Sequence, residues 1–243
     1  MPAQNKQSLA ILPDRQANAF AQMAEDALLL DCYPEKDQLR FRHYTWEKPA
    51  FTFGYSQSYA WVESQMTEPL ELCRRMTGGG LVDHRCDWTY ALVIPPSHPW
   101  YAQAASQTYR QNHEALAQAF QSMGQAAIVR SCDEPDVPPP ASGMPTFCFS
   151  RAEPCDVIHP ESRQKIAGAA LRRNRSGLLL QGSVEKSLVP DGLDWPAFGQ
   201  AFIAALEARL EAPALSVDRP EYAADQALAV YEQFASSDWN QRR

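Results

Sequence analysis

Lys165-Ile166-Ala167-Gly168-Ala169-Ala170-Leu171-Arg172 and Gly177-Leu178-Leu179-Leu180-Gln181-Gly182-Ser183-Val184 read as two strands joined by a turn at Asn174-Arg175-Ser176-Gly177. A strand–turn–strand of this kind is antiparallel. Upstream, Thr89–Ile94 (TYALVI) reads as a buried strand stopped by Pro95-Pro96, and Leu39–Trp46 as an aromatic-rich strand with partial alternation. Thr52–Tyr55 reads as a further short strand ending in a loop. Four helices are expected before, between and after these strands. Asn18–Asp31 is dominated by Ala, Met, Leu and Glu, and Ser106–Met123 has Ser106 as N-cap and Gly124 as its stop. Trp195–Leu210 carries Phe198, Phe202, Leu206 and Leu210 at helical intervals, and Glu221–Phe234 ends the pattern. Strands and helices mix without regular βαβ alternation and without a fixed repeat, so the expected class is α+β, with a mixed, largely antiparallel sheet flanked by helices. The Pro-rich stretch 133–146 is long for a connection in a compact domain, and such loops are often functional.

The chain has 243 residues, 45 % of them hydrophobic, which suits one large domain with a real core. A formal net charge of −7 argues against nucleic acid as a partner, although Arg74-Arg75 and Arg172-Arg173-x-Arg175 stand out locally. No leader and no membrane span is expected, because there is no basic start followed by a long apolar stretch and no run near 18 apolar residues. Six scattered cysteines without disulfide-framework spacing fit a reducing cytoplasm.

Three stretches can carry chemistry. In Arg74-Arg75-Met76-Thr77-Gly78-Gly79-Gly80-Leu81-Val82-Asp83-His84, three glycines free their backbone N–H groups to approach a ligand, and the arginines and His84 add donors. No Gly-Lys-Ser/Thr follows, so this is not a Walker A loop; a solvated surface turn is the plain alternative. Lys165, set among small residues, can lie against a carbonyl and stabilise oxyanion charge, or be an ordinary surface lysine at a strand start. Cys148, between Phe147 and Phe149, is either a buried inert thiol or, beside a cation, a nucleophile. Zinc through Cys132, Cys148, Cys155 and His159 is disfavoured, since no CxxC or HxxxH pair occurs.

Together these residues resemble the superfamily of lipoate–protein ligase A and the octanoyltransferases, which shares its catalytic fold with biotin protein ligase. The resemblance covers most of the chain. Asn18-Ala-Phe-Ala-Gln-Met-Ala-Glu-Asp-Ala-Leu-Leu is similar to the family's first helix, and Leu39 to Pro49, then Thr52-Phe53-Gly54-Tyr55-Ser56-Gln57, to its early strands and Gly-aromatic loop. Arg74-Arg75-x-Thr77-Gly78-Gly79-Gly80-x-Val82-x-His84 resembles its acyl-binding signature. Lys165-Ile166-Ala167-Gly168-x-Ala170-x-Arg172-Arg173 resembles the segment of its essential lysine, followed by Gln181-Gly182-Ser183-Val184. Trp239-Asn240-x-Arg242-Arg243 resembles family C-termini. Two positions depart from the pattern: Asp83 stands before His84 in place of an aromatic or aliphatic residue, and the usual Gly of the run before Lys165 is missing. The Gly-Arg-Gly-Arg signature of biotin ligase is absent, with Thr77-Gly78-Gly79-Gly80 in its place.

The resemblance implies a biotin/lipoate protein ligase-like catalytic domain over residues 1–243, without an accessory C-terminal domain, and an acyl tunnel beneath the glycine loop. Where ligases of the family carry Gly-Arg-Asn-Asp, this chain has Cys148-Phe149-Ser150-Arg151, followed after four residues by Asp156-Val157. That segment is similar to the one in the cysteine-dependent octanoyltransferases and amidotransferases, whose thiol carries the acyl group. The implied catalytic pair is therefore Cys148 and Lys165, with Arg75, Thr77, Gly78, Gly79, Gly80, His84, Gly168 and Ala170 around the acyl group. The implied donor is octanoyl-acyl carrier protein or a lipoyl donor. The acceptor is the lysine of a lipoyl carrier domain, such as glycine cleavage H protein or the E2 of a 2-oxoacid dehydrogenase. No cofactor or metal is needed, because a thioester is already activated. Lys165→Ala is expected to fold normally and lose activity, and Arg172, Arg173 and Arg175 to face the acidic carrier. Two alternatives stay open: an ATP- and Mg²⁺-dependent lipoate ligase forming lipoyl-AMP, and a non-catalytic acyl-binding protein on the same fold.

Overall fold

The structure is a computed structural model that describes residues 7–68, 70–131, 148–189 and 192–242. The Pro-rich stretch 133–146, Cys132 and Phe147 lie outside the described residues. The strands are β1 (Leu9–Ile11), β2 (Arg15–Ala17), β3 (Leu39–Trp46), β4 (Ala50–Phe53), β5 (Glu71–Arg74), β6 (Val82–Asp83), β7 (Asp87–Ile94), β8 (Ile128–Val129), β9 (Val157–Ile158), β10 (Lys165–Asn174), β11 (Gly177–Glu185) and β12 (Ala214–Ser216). The helices are α1 (Ala19–Asp31), α2 (Tyr59–Ser64), α3 (Pro99–Ala102), α4 (Ala105–Ser122), α5 (Trp195–Leu210), α6 (Ala224–Ala235) and α7 (Ser237–Asn240), with 3-10 turns at Cys148–Ser150 and Lys186–Leu188.

Among the described residues, nine strands form one sheet in the order β12-β1-β3-β7-β11-β10-β9-β8, with β2 also pairing β3. From β3 through β7, β11, β10, β9 and β8 every pairing is antiparallel, while β1 pairs β12 and β3 in parallel and β2 pairs β3 in parallel. The fold is thus a mixed, largely antiparallel sheet flanked by helices. A second, three-stranded sheet (β5-β4-β6) carries the chain on either side of the glycine loop.

Strand alternation sorts the core into two layers. On β7, Trp88, Tyr90, Leu92 and Ile94 face one cluster with Leu116 and Phe120 of α4 and Phe198, Phe202 and Leu206 of α5. Ala91 and Val93 face the other, with Met23, Leu29 and Leu30 of α1 and Phe234 of α6. Phe202 stands edge-on to Phe41 and Tyr90, at centroid distances of 5.8 and 5.0 Å. A buried aromatic of this kind contributes about 1.5–3 kcal/mol through burial, which is why α5 stays on the sheet.

Several elements start or stop elsewhere than the sequence suggests. Asn18 does cap α1, its side chain accepting from Ala21 N at 2.9 Å. Ser106, however, is not the cap of α4: the chain leaves α3 through Gln103 and Ala104, both extended, and Ala104 holds the N-cap position without a side-chain bond. The strand expected at Thr52–Tyr55 is Ala50–Phe53, because Gly54 and Tyr55 already belong to the turn toward α2. The helix expected from Glu221 is α6 and begins three residues later, at Ala224, with α7 after it; Asn240 of α7 accepts from Arg74 N at 2.8 Å and pins the C-terminal segment to β5.

Candidate active site

β10 pairs with β9 as Lys165↔Ile158 and Ala167↔Val157, with a register shift between Lys165 and Ala167. Such a bulge re-aims the side chain beside it. Lys165 turns inward and is 5 % exposed. Its Nζ donates to Asp156 Oδ2 at 2.9 Å and lies 3.5 Å from Cys148 Sγ. Burial pulls the amine down, but the charges of Cys148 and Asp156 outweigh it, so Lys165 is held above its ordinary value and stays an ammonium. Asp156 is fully buried and also accepts from Glu153 N at 2.6 Å and from the Tyr109 hydroxyl. That hydroxyl in turn accepts from Ala169 N at 3.1 Å. Burial, then the neighbouring Asp156 charge, pushes the Tyr109 hydroxyl well above its usual range, so it serves as a donor. The ammonium is therefore held from behind by a carboxylate that is itself held by α4 and by the loop before β9. Gly168 leaves the room: a Cβ there would meet Lys165 Cε at 2.5 Å and Nζ at 2.6 Å.

Cys148 opens a 3-10 turn and is half-buried. Its N–H donates to Leu81 O at 2.8 Å, which ties the turn to the glycine loop. That loop folds over Arg75, whose Nη2 donates to Gly78 O at 2.9 Å and Gly80 O at 2.8 Å, while Nη1 donates to Thr52 Oγ1 at 2.8 Å. Gly79 adopts φ +86°, and Gly54 runs so close that a Cβ on it would lie 2.0 Å from Gly79 O. Only glycine fits either position. Arg75 is buried, and no carboxylate pairs with it among the described residues. Burial lowers its guanidinium, with the Cys148 sulfur as the leading opposing influence. A buried cation without a carboxylate, facing the same space as the thiol, suits a ligand that develops negative charge.

Cys148, Arg75, Gly79 and Gly168 are part of the lining of one narrow cavity. Met23, Tyr44, Val82, Ala169 and Ala170 supply much of its apolar wall. Thr52, His84, Thr89, Gln181 and Ser183 also line it, and their polar groups are already engaged. His84 Nδ1 meets Asp87 Oδ2 at 2.6 Å and Nε2 meets Thr52 Oγ1 at 2.7 Å, while the ring stacks on Trp46 at 4.0 Å. Asp87 Oδ2 also accepts from Thr89 and Ser183 hydroxyls, both at 2.7 Å. Burial would raise the Asp87 carboxyl, but His84 and these hydroxyls outweigh it and hold it below the usual carboxylate range. On the other side Gln181 accepts from Thr77 Oγ1 at 2.6 Å and donates to Asp26 Oδ2 at 2.6 Å, and Asp26 pairs with Arg42 at 2.7 Å. Thr52, His84, Thr89, Gln181 and Ser183 thus spend their polar groups on one another and on Thr77, Asp26 and Asp87, while Asp87 Oδ1 is buried without a partner.

Of the residues singled out in the sequence, the structure brings Cys148, Lys165, Arg75, Gly79, His84, Gly168 and Ala170 together. Thr77, Gly78 and Gly80 are not part of the wall among the described residues; Thr77 points to Gln181, and the two glycines turn carbonyls to Arg75. The carbonyls of Gly78 and Gly80 thus brace the Arg75 guanidinium at the cavity. Tyr109 and Asp87 were not singled out, and Asp156 and Gln181 entered only as parts of family-like segments, without a role. One signal was readable: Gln181 and Ser183 alternate with apolar residues in β11, as Asp87 and Thr89 do in β7, and polar groups on one face of a buried strand need a partner. The docking cluster divides, with Arg172 donating to Met76 O at 3.1 Å and Arg173 to Gln103 O at 2.6 Å on opposite faces of β10.

Residues 18–188 match the lipoyl protein ligase A/B catalytic domain, a stretch holding every side chain of this cavity. The chain belongs to that family. Among individual relatives it is similar to the octanoyltransferase LipM of Oceanobacillus iheyensis, 29 % identical over 188 residues, covering 75 % of this chain and 66 % of that protein. Octanoyltransferase LipM of Staphylococcus epidermidis is 30 % identical over 185 residues, covering 72 % of this chain and 65 % of that protein. The match thus spans just under two thirds of each relative's length. In fold, the chain is similar to lipoate-protein ligase A bound with ATP, with a TM-score of 0.75 at 17 % identity over 97 % of this chain and 98 % of that one. It is also similar to the bi-partite lipoate protein ligase of Thermoplasma acidophilum, studied with its E2 lipoyl domain, with a TM-score of 0.71 at 17 % identity over 98 % and 97 % of the two chains. Among the described residues no helix is long and apolar enough to cross a membrane.

Proposed function

We propose that this member of the lipoyl protein ligase A/B family is an octanoyltransferase that carries the acyl group on Cys148. The observation behind this reading is the 3.5 Å approach of Lys165 Nζ to Cys148 Sγ at the cavity wall. A nucleotide-using ligase has no work for a thiol at that point, and the relatives at 29 % and 30 % identity are octanoyltransferases.

In this reaction the Cys148 thiolate attacks the carbonyl carbon of an octanoyl thioester. The carbonyl oxygen takes up the charge beside Lys165 and Arg75, two fixed cations that need no rearrangement. The tetrahedral intermediate collapses, the carrier thiolate leaves and takes a proton, and the octanoyl group remains as a thioester on Cys148. The ε-amine of a lipoyl-domain lysine then attacks that carbonyl, loses a proton, and expels the Cys148 thiolate, leaving an amide. Asp156 and Tyr109 keep the Lys165 ammonium in place through both steps, and the Met23, Tyr44 and Val82 wall receives the acyl tail. The donor is octanoyl-acyl carrier protein, and the acceptor is the lysine of a glycine cleavage H protein or of an E2 lipoyl domain. ATP, Mg²⁺ and metal have no part in it.

The test is transfer from octanoyl-carrier protein to a lipoyl domain with and without ATP, followed by mass of the domain. Equal transfer in both supports the reading. Transfer from free lipoate that requires ATP would replace it with a ligase.

A further inference from the structure

We propose a phosphate subsite formed by Arg172 and Arg242 beside Tyr55, which takes the phosphate of a pantetheine-borne acyl thioester. This inference rests on the transferase reading and specifies how its donor is recognised.

Two guanidinium groups converge on one aromatic ring. Arg242 Cζ lies 4.1 Å from the Tyr55 ring centroid and 4.0 Å from that of Trp239, and Arg172 Cζ lies 5.4 Å from Tyr55. Neither arginine has a carboxylate partner among the described residues, and Arg172 Nε is buried without a hydrogen bond. Two like charges brought together without an anion repel one another, and stacked guanidinium forks are suited to phosphate oxygens. The platform is anchored: Tyr55 N donates to Thr77 O at 2.8 Å, Arg172 Nη1 donates to Met76 O, and Trp239 Nε1 donates to Arg74 O at 2.8 Å. All three anchors are residues of the segment that runs into the glycine loop.

The spacing selects the ligand. Gly168, Ala170 and Arg172 share one face of β10, and that face meets the Lys165 amine at Gly168. From Gly168 to Arg172 is four residues, or about 13 Å along a strand. The pantetheine arm has about thirteen covalent bonds between its thioester sulfur and its phosphorus, or roughly 15 Å when extended like a peptide backbone. The small side chains of Gly168 and Ala170 leave that face low between the two ends. An acyl group at Cys148 therefore sets the arm's phosphate at Arg172 and Arg242. Acidic side chains of the carrier are the competing partner for these arginines, and a carrier-free donor separates the two.

The experiment compares octanoyl-phosphopantetheine with octanoyl-pantetheine as small-molecule donors, reading the rate of Cys148 acylation by intact mass. The wild-type protein should favour the phosphorylated donor tenfold or more, and the ratio should fall toward one in Arg172→Gln/Arg242→Gln. Because Arg242 is exposed, Arg242→Gln alone reports even if the double variant folds poorly, and should lower the ratio in part. Equal rates for the two donors, or an unchanged ratio in the variants, overturns the subsite. If the ratio is flat while the variants weaken only the carrier-borne donor, the arginines dock carrier side chains and the phosphate assignment is wrong. Acylation by neither donor would overturn the transferase reading and this inference with it.

Discussion

The ammonium of Lys165 sits 3.5 Å from the sulfur of Cys148, and 2.9 Å behind it stands the buried carboxylate of Asp156. This pairing revises one expectation from the sequence. Lys165→Ala removes the counter-charge of the buried Asp156 and should lower stability, since breaking a buried pair costs about 3–5 kcal/mol. Lys165→Ala should lose transfer by roughly 10²–10³-fold and unfold at clearly lower denaturant. Adding Asp156→Asn should recover most of the stability and none of the transfer. A double variant no more stable than Lys165→Ala would remove Asp156 as the counter-charge.

Gly168→Ala tests the same corner from its other side. The new Cβ would fall 2.5 Å from Lys165 Cε and 3.1 Å from Asp156 Oδ1, so the flexible lysine must shift. Acylation of Cys148 should slow by about tenfold or more, since misplacing a positioned group by an ångström costs up to roughly 10². The folded state should remain. Full-rate acylation in Gly168→Ala would mean that the amine's position is unimportant.

How far could these features be read from residues alone? The β10–β11 hairpin, β3 and α5 were legible because each is long and keeps one period, and α5 falls on Trp195–Leu210 as read. Strands such as Leu9–Ile11, Val157–Ile158 and Ala214–Ser216 have two or three residues, too few to show alternation, and owe their state to neighbours in the sheet. The cavity's chief residues stood out as glycines, a lysine and a cysteine. Tyr109 did not, and Asp156 showed only as the end of the Cys148 segment, because a helix tyrosine that binds a carboxylate 47 residues away has no local pattern. That the carbonyls of Gly78 and Gly80 brace Arg75 was hidden for the same reason: the partners of a buried arginine lie in no local pattern.

His113 supplies a pH test of the scaffold beneath the site. Its ring is fully buried, meets Cys155 O at 2.8 Å through Nδ1, and stands edge-on to Tyr109. Burial pushes it down to about 4. Unfolded, a histidine titrates near 6.5, so between roughly 6.5 and 4 the unfolded chain binds a proton that the folded one does not. Stability from this group is therefore complete above about pH 6.5 and is lost as pH falls toward 4, by on the order of 1 kcal/mol per unit. His113→Asn should flatten the dependence of unfolding free energy on pH over that window. Parallel curves for the two proteins would show that His113 titrates normally in the fold.

The central claim is that Cys148 carries the acyl group, and one measurement addresses it directly. The protein is incubated with octanoyl-carrier protein in the absence of ATP, and its intact mass is recorded before and after adding a lipoyl domain, beside Cys148→Ala. One octanoyl adduct is expected on the wild-type chain, mapped to Cys148, discharged when the lipoyl domain is added, and absent from Cys148→Ala. A wild-type chain that stays unmodified, or a Cys148→Ala chain that still transfers octanoate without ATP, would contradict it.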